Sequence, residues 1–439
     1  VTQLFTEPYM VEFLLHNTLG AWWAGKQLKD EGEGLKAKWE HCQTEADCRR
    51  LLSLPGVTWD YLRFVKVEQL EKAAGQNKDA PADMSAATSG RLPPSNFRLS
   101  SLPPSAFLPA AGTFDGWPKA ARDIKVLDPC CGSGHFLVAA LHHLVPIRMA
   151  EEGLSAAEAV DAVLRDNLHG LEIDERCCQI AAFALAFAAW TYPEAGGYRA
   201  LPELNIACTG IGPQCSADQW IKLAEQSGIP MPTIGREAIK DGLLNLHRLF
   251  SQAPTLGSLI NPAELPADLI AADYETIQPY LAAIRAVEKA DDETRERAVA
   301  AAGMVKAADL LAGEYALVIT NVPYLGRGKQ DDVLKAYLEK HYKDGKRDLA
   351  TAFVERCLQF NSAAGASALV TPQNWFFLPT YKHLRDRVLR RHEWNLVARL
   401  GPGAFEGISG HVVNVGLPVL TAKRPGPGHL MAGIDASGV

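Results

Sequence analysis

No apolar run in this 439-residue chain is long enough to cross a bilayer as a helix. Its first residues do not follow the charged, apolar and small order of a signal peptide. A cytoplasmic protein without membrane contact is expected. Cysteine is sparse, with nine residues, and the adjacent pairs Cys130-Cys131 and Cys177-Cys178 lack zinc-ligand spacing. Reduced thiols and no metal site follow. No repeat of fixed period is present, which argues against a solenoid. Excess positive charge is missing too: the formal net charge is -7, unlike a protein that binds nucleic acid over its whole surface. What remains, 47% hydrophobic and 22% charged residues, is ordinary for a globular chain with room for two or three domains.

The chain is organised around Lys125-Val126-Leu127-Asp128-Pro129-Cys130-Cys131-Gly132-Ser133-Gly134-His135-Phe136-Leu137. It reads as a buried strand, a glycine turn and a helix start. Gly132 and Gly134 permit a tight turn and close approach of backbone to a ligand. No Lys-Ser/Thr follows the glycines, so a phosphate cradle is not expected. The strand ends in Asp128, an acid suited to a cationic or amine-bearing cofactor. A second buried-strand run, Tyr315 to Thr320, ends in Asn321-Val322-Pro323-Tyr324.

These two motifs, in this order, resemble those of the amino-methyltransferases, which use S-adenosyl-L-methionine to methylate exocyclic amines. There the first motif is Asp-Pro-x-Cys-Gly-Ser-Gly and the second Asn-Pro-Pro-Tyr. The resemblance implies a doubly wound class I α/β sheet of seven strands with the last antiparallel, and a cofactor at the carboxyl ends of the strands. It implies cofactor contacts from Phe5, Thr6, Asp128, Pro129, Cys130, Gly132, Gly134, Glu172 and Ile173, and catalysis by Asn321, Pro323 and Tyr324. Val322 departs from the pattern. It gives up the fixed φ of proline and restores a backbone N–H.

Taken in order, Thr6 is a plausible N-cap for an amphipathic helix from about Tyr9 to Lys29. Residues 1–72 read as a small helical domain containing Trp39 and Trp59. Residues 73–115 read as a flexible linker rich in Ala, Ser and Pro. The catalytic domain is expected over 116–425. Leu168 to Ile173 is its second strand, where Glu172 can grip both ribose hydroxyls and Asp174 caps the next helix. After the third strand, Leu204 to Cys208, many members of the resembled family carry an Asp for the cofactor's adenine amine. Here Thr209-Gly210 follows, leaving Thr209, backbone groups or Ile173 to hold adenine. Residues 210–312 are too long for a loop and read as a helical subdomain. Residues 426–439 read as a tail toward a further domain, and the opening Val1 suggests a trimmed or partial chain.

An adenine amine is a poor nucleophile, because its lone pair is delocalised into the ring. The Asn321 side-chain oxygen and the Pro323 carbonyl can accept its two hydrogens and aim the lone pair, while Tyr324 stacks on the base. A base inside double-stranded DNA must first be flipped out, and Trp375, Phe376 or Phe405 could form the opposite wall. From Asn321 to Pro425 there are 16 Lys+Arg and 9 Asp+Glu, a local +7 against -14 elsewhere. This basic excess suits phosphate contact. The Asn-x-Pro-Tyr form, the long insertion and the run Leu249 to Ile260 look like large bacterial adenine-specific DNA methyltransferases. These include type IIG modification enzymes and the methyltransferase of BREX-type phage defence, which implies other defence proteins as partners. The alternatives are methylation of RNA or of a protein glutamine, and a non-catalytic cofactor-binding scaffold.

Overall fold

Short runs of small and β-branched apolar residues make the strands, because helices cover both faces of the sheet and no polar alternation is needed. The computed structural model describes residues 6–29, 38–76, 103–213, 216–225, 229–230, 235–264, 274–285, 292–401, 404 and 414–437. Two short strands, β1 (Phe64–Lys66) and β2 (Phe107–Pro109), pair antiparallel ahead of the main sheet. That sheet is built from β3 (Val126–Asp128), β4 (Leu168–Glu172), β5 (Asn205–Cys208), β6 (Tyr315–Asn321), β7 (Asn361–Pro372), β8 (Glu393–Gly401), β9 (Val415–Thr421) and β10 (Ala432–Asp435). Its order is β10-β8-β9-β7-β6-β3-β4-β5.

Every neighbouring pair is parallel except those of β9, which runs antiparallel to both β7 and β8. The seven expected strands are present with the seventh reversed. An eighth, β10, comes from the segment expected to be a tail and pairs in parallel with β8. The chain winds outward from β3 through β4 to β5, then returns to the other side of β3 as β6. The carboxyl ends of β3 and β6 therefore open a crevice where the strand order reverses.

Successive side chains of β6 separate the two layers. Leu317 and Ile319 join a core with the helices Pro8–Leu15, Ala21–Lys29, His135–Glu152 and Ala156–Asp166, while Val318 joins one with Arg236–Phe250, Asp292–Ala312 and Leu349–Gln359. The N-terminal helices thus share a core with the sheet instead of forming a separate unit. The second half of the expected linker is also packed, with Ala106, Phe107, Leu108 and Phe114 buried, and its middle (77–102) lies outside the described residues. The insertion is likewise one of the sheet's covering layers. Its last helix, Asp292–Ala312, buries Ala307, Ala308 and Leu311 in the same core as Val318 and leads directly into β6.

The first helix is continued to Lys29 through a π turn, His16–Gly20. Side chains occupy the backbone groups that such a turn loosens. Thr18 Oγ1 donates to Leu14 O at 2.7 Å, and Asn17 Nδ2 donates to Phe13 O and Tyr61 O, both at 2.8 Å. Asn17 Oδ1 accepts Arg63 N–H at 3.0 Å, which fastens the helix to the segment before β1. Buried His16 and His143 place their Nε2 atoms 3.0 Å apart, 2.8 and 3.1 Å from Glu12 Oε2. Burial holds His16 below its ordinary pKa. Tyr61 N–H donates to His16 Nδ1, so the neutral ring keeps its proton on Nε2. The N-terminal helix is thereby tied to the helix that follows the glycine turn.

Gly20 closes the π turn against Trp59: a Cβ there would lie 2.6 Å from the indole ring. Gly20→Ala should cost about 1–3 kcal/mol by overpacking. Denaturant unfolding followed by tryptophan fluorescence checks this, and an unchanged midpoint would contradict the contact.

Candidate active site

The residues singled out from sequence converge on a cavity of about 650 Å³ at the carboxyl ends of β3, β4 and β6. Thr6, Asp128, Pro129, Cys130, Gly132, Glu172, Ile173, Asn321, Pro323 and Tyr324 all line it. No Lys or Arg is among the lining residues described, whereas two buried acids are. Such a wall disfavours a phosphate group and suits a cation, so the residues present fit the sulfonium and amine of S-adenosylmethionine.

The glycine turn is held from below. Gly132 N–H donates to Glu172 Oε2 at 2.9 Å, and Gly134 N–H donates to Cys131 O at 2.7 Å. Gly134 has φ +88°, and a Cβ there would stand 3.2 Å from the Ala181 backbone. A side chain would therefore be strained and would also push away the helix Glu175–Thr191. The other oxygen of Glu172, Oε1, accepts Ile173 N–H at 2.9 Å and Asp174 N–H at 3.1 Å. Glu172 thus joins the end of β4 to the turn after β3, a role not visible in sequence. Asp174 caps the helix Glu175–Thr191 through Arg176 N–H, as its position implied.

Asp128 is 1% exposed and accepts Cys130 N–H at 3.1 Å. Burial pushes its pKa up to about 7, the Thr320 hydroxyl and Cys130 N–H pull it partly back, and the Glu172 carboxylate adds to the rise. Burial also raises the Cys130 and Cys131 thiols, with both acids adding to it, so these are neutral thiols and not nucleophiles.

Thr6 is not the N-cap. The helix Pro8–Leu15 is capped by Glu7 in extended conformation, without a side-chain bond. The Thr6 hydroxyl instead accepts Asn321 Nδ2–H at 3.0 Å. In this orientation Nδ2, and not Oδ1, faces Thr6. Val322 is buried, and its restored N–H donates to Val370 O at 3.3 Å, so the departure from proline adds a bond between β6 and the neighbouring β7. The Tyr324 hydroxyl is buried without a partner among the described residues, and burial raises its pKa. Asp348 secures the loop beyond by accepting Leu325 N–H at 3.3 Å.

Several expectations fall elsewhere. Gly134 shapes the turn without lining the cavity. Thr209 is fully buried behind the wall, its Oγ1 3.4 Å from Ser258 Oγ. The backbone bond Thr209 N–H to Glu172 O draws it under the end of β4. Trp375 and Phe376 do not line the cavity. Trp375 is 1% exposed, packs on Phe376 and Trp394, and donates to Thr371 Oγ1 at 3.1 Å, which makes it core. Phe5 and Phe405 lie outside the described residues. Sequence reasoning missed the wall made by Pro254 to Leu259 of the insertion, and the contribution of Leu349 and Phe353. The run Leu249 to Ile260 carried the signal for that wall, but nothing in it named a contact.

The model of the Eco57I restriction-modification methylase family matches residues 166–402, and that of the MmeI DNA-methyltransferase domain matches residues 117–195. The adenine-specific methyltransferase BrxX of Escherichia coli O9:H4 (strain HS) is 26% identical over 443 residues, covering 97% of this chain and 31% of the relative. The adenine-specific methyltransferase PglX of Lacticaseibacillus casei (strain Zhang) is 25% identical over 417 residues, 94% of this chain and 29% of that one. The chain thus spans about a third of the length of the curated relatives it matches. Among solved structures, a nuclease-deletion mutant of the type ISP restriction-modification enzyme LlaGI in complex with a DNA substrate mimic aligns with 71% of this chain and 21% of its own, at TM-score 0.42 and 13% identity.

Asp128 titrates near 7 when folded and near 4 when unfolded, so it favours folding below pH 4 and loses that contribution as pH rises through 7. Asp128→Asn should therefore stabilise the cofactor-free protein by about 1–3 kcal/mol more at pH 8 than at pH 5. Urea unfolding at both pH values measures the difference. An equal effect at both would show that the acid does not titrate there.

Proposed function

The chain belongs to the Eco57I restriction-modification methylase family, and on that premise we propose that it transfers the methyl group of S-adenosyl-L-methionine to the N6 amine of adenine in DNA. The observation that carries the reading is the Asn321 amide, oriented by Thr6 at the rim of a cation-suited cavity. When bound, S-adenosylmethionine supplies a sulfonium methyl group. Asp128 and Glu172 would hold it, the first by charge and the second through the lone pairs left free on oxygens already facing backbone N–H groups.

Asn321 Oδ1 and the Pro323 carbonyl accept the two amine hydrogens and free the nitrogen lone pair for attack. As the nitrogen–methyl bond forms in place of the sulfur–methyl bond, positive charge develops on the amine; the two acceptor oxygens stabilise it, and the surplus proton then passes to water. The ring of Tyr324 stacks on the base. Its hydroxyl takes no part in this, and the aromatic face carries the contact.

The substrate is double-stranded DNA with the adenine flipped out, in a restriction-modification or phage-defence setting. Both curated relatives named above are called adenine-specific methyltransferases. The basic region divides on close view. Arg385 holds the Trp375 and Leu378 carbonyls, and Arg387 pairs with Asp344 and Glu355. Lys329, Lys343, Arg347, Lys382, Arg390 and Arg391 are among the exposed cations of this region, open to phosphates.

Asn321→Ala should leave binding of S-adenosylhomocysteine nearly intact and lower methyl transfer to DNA by roughly 10²–10³. Tyr324→Phe should be mild, and Tyr324→Ala should weaken flipped-base binding by about 1–3 kcal/mol. Calorimetric titration with S-adenosylhomocysteine and with DNA reads the two affinities, and radiolabelled methyl transfer with competing RNA reads the rate, all on the full-length protein. Normal adenine methylation by Asn321→Ala would remove the assignment. Cofactor binding without methylation of DNA by the unmutated protein would favour a scaffold.

A further inference from the structure

Arg356 is a guanidinium at 1% exposure that enters no ion pair among the described residues, its Nη1 lying 3.5 Å from Gln359 Oε1. A charge this deep must be satisfied by other groups. Arg356 Nε donates to Ser258 O at 3.0 Å, and Nη2 donates to Ile260 O at 2.8 Å and to Leu311 O at 2.7 Å. Its carbon lies 3.7 Å from the centroid of the Phe360 ring. Two of the three carbonyls belong to the insertion's turn, whose residues 254–259 line the cavity. The third ends the helix that leads into β6.

The same turn is held on its other sides. Tyr342 and Tyr337 hydroxyls donate to Leu259 O at 2.9 and 3.3 Å. Gly257, with φ +51°, sits so close to Ile173 that a Cβ would reach its side chain at 3.1 Å. Ser258 Oγ faces Thr209 Oγ1. The turn therefore lies over the ends of β4 and β5. Asn321 lies at the end of β6, on the far side of β3. Given the cofactor reading above, on which this rests, that is the side opposite the methyl-transfer motif, where the adenosine end of the cofactor belongs.

We propose that Arg356 is a positioning residue that fixes the insertion's turn 254–259 as the adenosine-side wall of the cofactor cavity. It touches no ligand and acts through the backbone of Ser258 and Ile260. Removing the guanidinium leaves buried carbonyls without donors, so the turn relaxes away from Ile173. A lysine offers one ammonium in place of a planar fork and restores only part of the clamp.

The test is equilibrium binding of S-adenosylhomocysteine and of 5′-methylthioadenosine, which keeps the adenosine end and lacks the amino-acid end. It is run on the full-length protein freed of cofactor, with circular dichroism and thermal unfolding of each variant. Arg356→Met should weaken both ligands by the same factor, about tenfold. Arg356→Lys should recover part of that loss. Tyr342→Phe, a milder removal of one donor to the same turn, should weaken both by about two- to fivefold. Arg148→Met is the control, since Arg148 is also buried but pairs with Glu152 and Asp166 away from the cavity. It should lower the thermal midpoint and leave both affinities unchanged. A folded Arg356→Met protein with unmutated affinities overturns the proposal, as does an equal loss in Arg148→Met. If Arg356→Met does not fold, unchanged binding by Tyr342→Phe overturns it. Absence of binding by the unmutated protein overturns the cofactor reading itself, and the proposal with it.

Discussion

Glu172 has both oxygens engaged by backbone N–H groups before any ligand arrives. One reaches across to the glycine turn and the other folds back over the end of its own strand. The glycine turn has few internal bonds, and a loop of that kind holds its shape only when something outside fixes it. A buried carboxylate is costly unless several donors meet it, and here three do. The mutual need of acid and loop sets the distance between the ends of β3 and β4. Everything else in the cavity is measured from that pair: Asp128 behind the turn, Ile173 beyond the acid, and Asn321 across the crevice.

What could be read in the sequence was the chemistry carried by consecutive residues. Asp128, the two glycines, Glu172 and the Asn321 motif each sit in a strand-then-turn segment, where local pattern dictates local shape. Asp174 as a helix cap was legible for the same reason. Contacts between distant segments were not. Thr6 looked like a cap because a polar residue two places before a proline usually is one, yet its partner lies 315 residues away. Trp375 and Phe376 looked like a wall for a base because aromatic residues after a strand end often line a site. Core packing on Trp394 won instead. That residues 103–115, expected as part of a flexible linker, pack into the core was not legible, because composition does not say which apolar face finds which partner.

Val322 shows how a motif can change without loss of form. Proline at that place would fix the backbone by its ring. Valine must be fixed by other means, and it is: the N–H finds Val370 O, and the side chain is buried. The residue before Pro323 is held extended in any case. A rule stated in residue types would count this as a defect, whereas a rule stated in backbone groups counts it as an equivalent solution.

The hydrogen bond between Thr6 and Asn321 has a consequence in time. A ribosome releases Thr6 early and Asn321 only after more than three hundred further residues, so the amide cannot acquire its orientation while the chain is short. Contacts of such separation form late in folding, once the loop between them has been closed by other structure. A nascent chain would therefore complete its glycine turn and its buried acid well before the Thr6–Asn321 corner. The assembly order is written into the topology, and a partial product of translation would hold the glycine turn without the bond between Thr6 and Asn321.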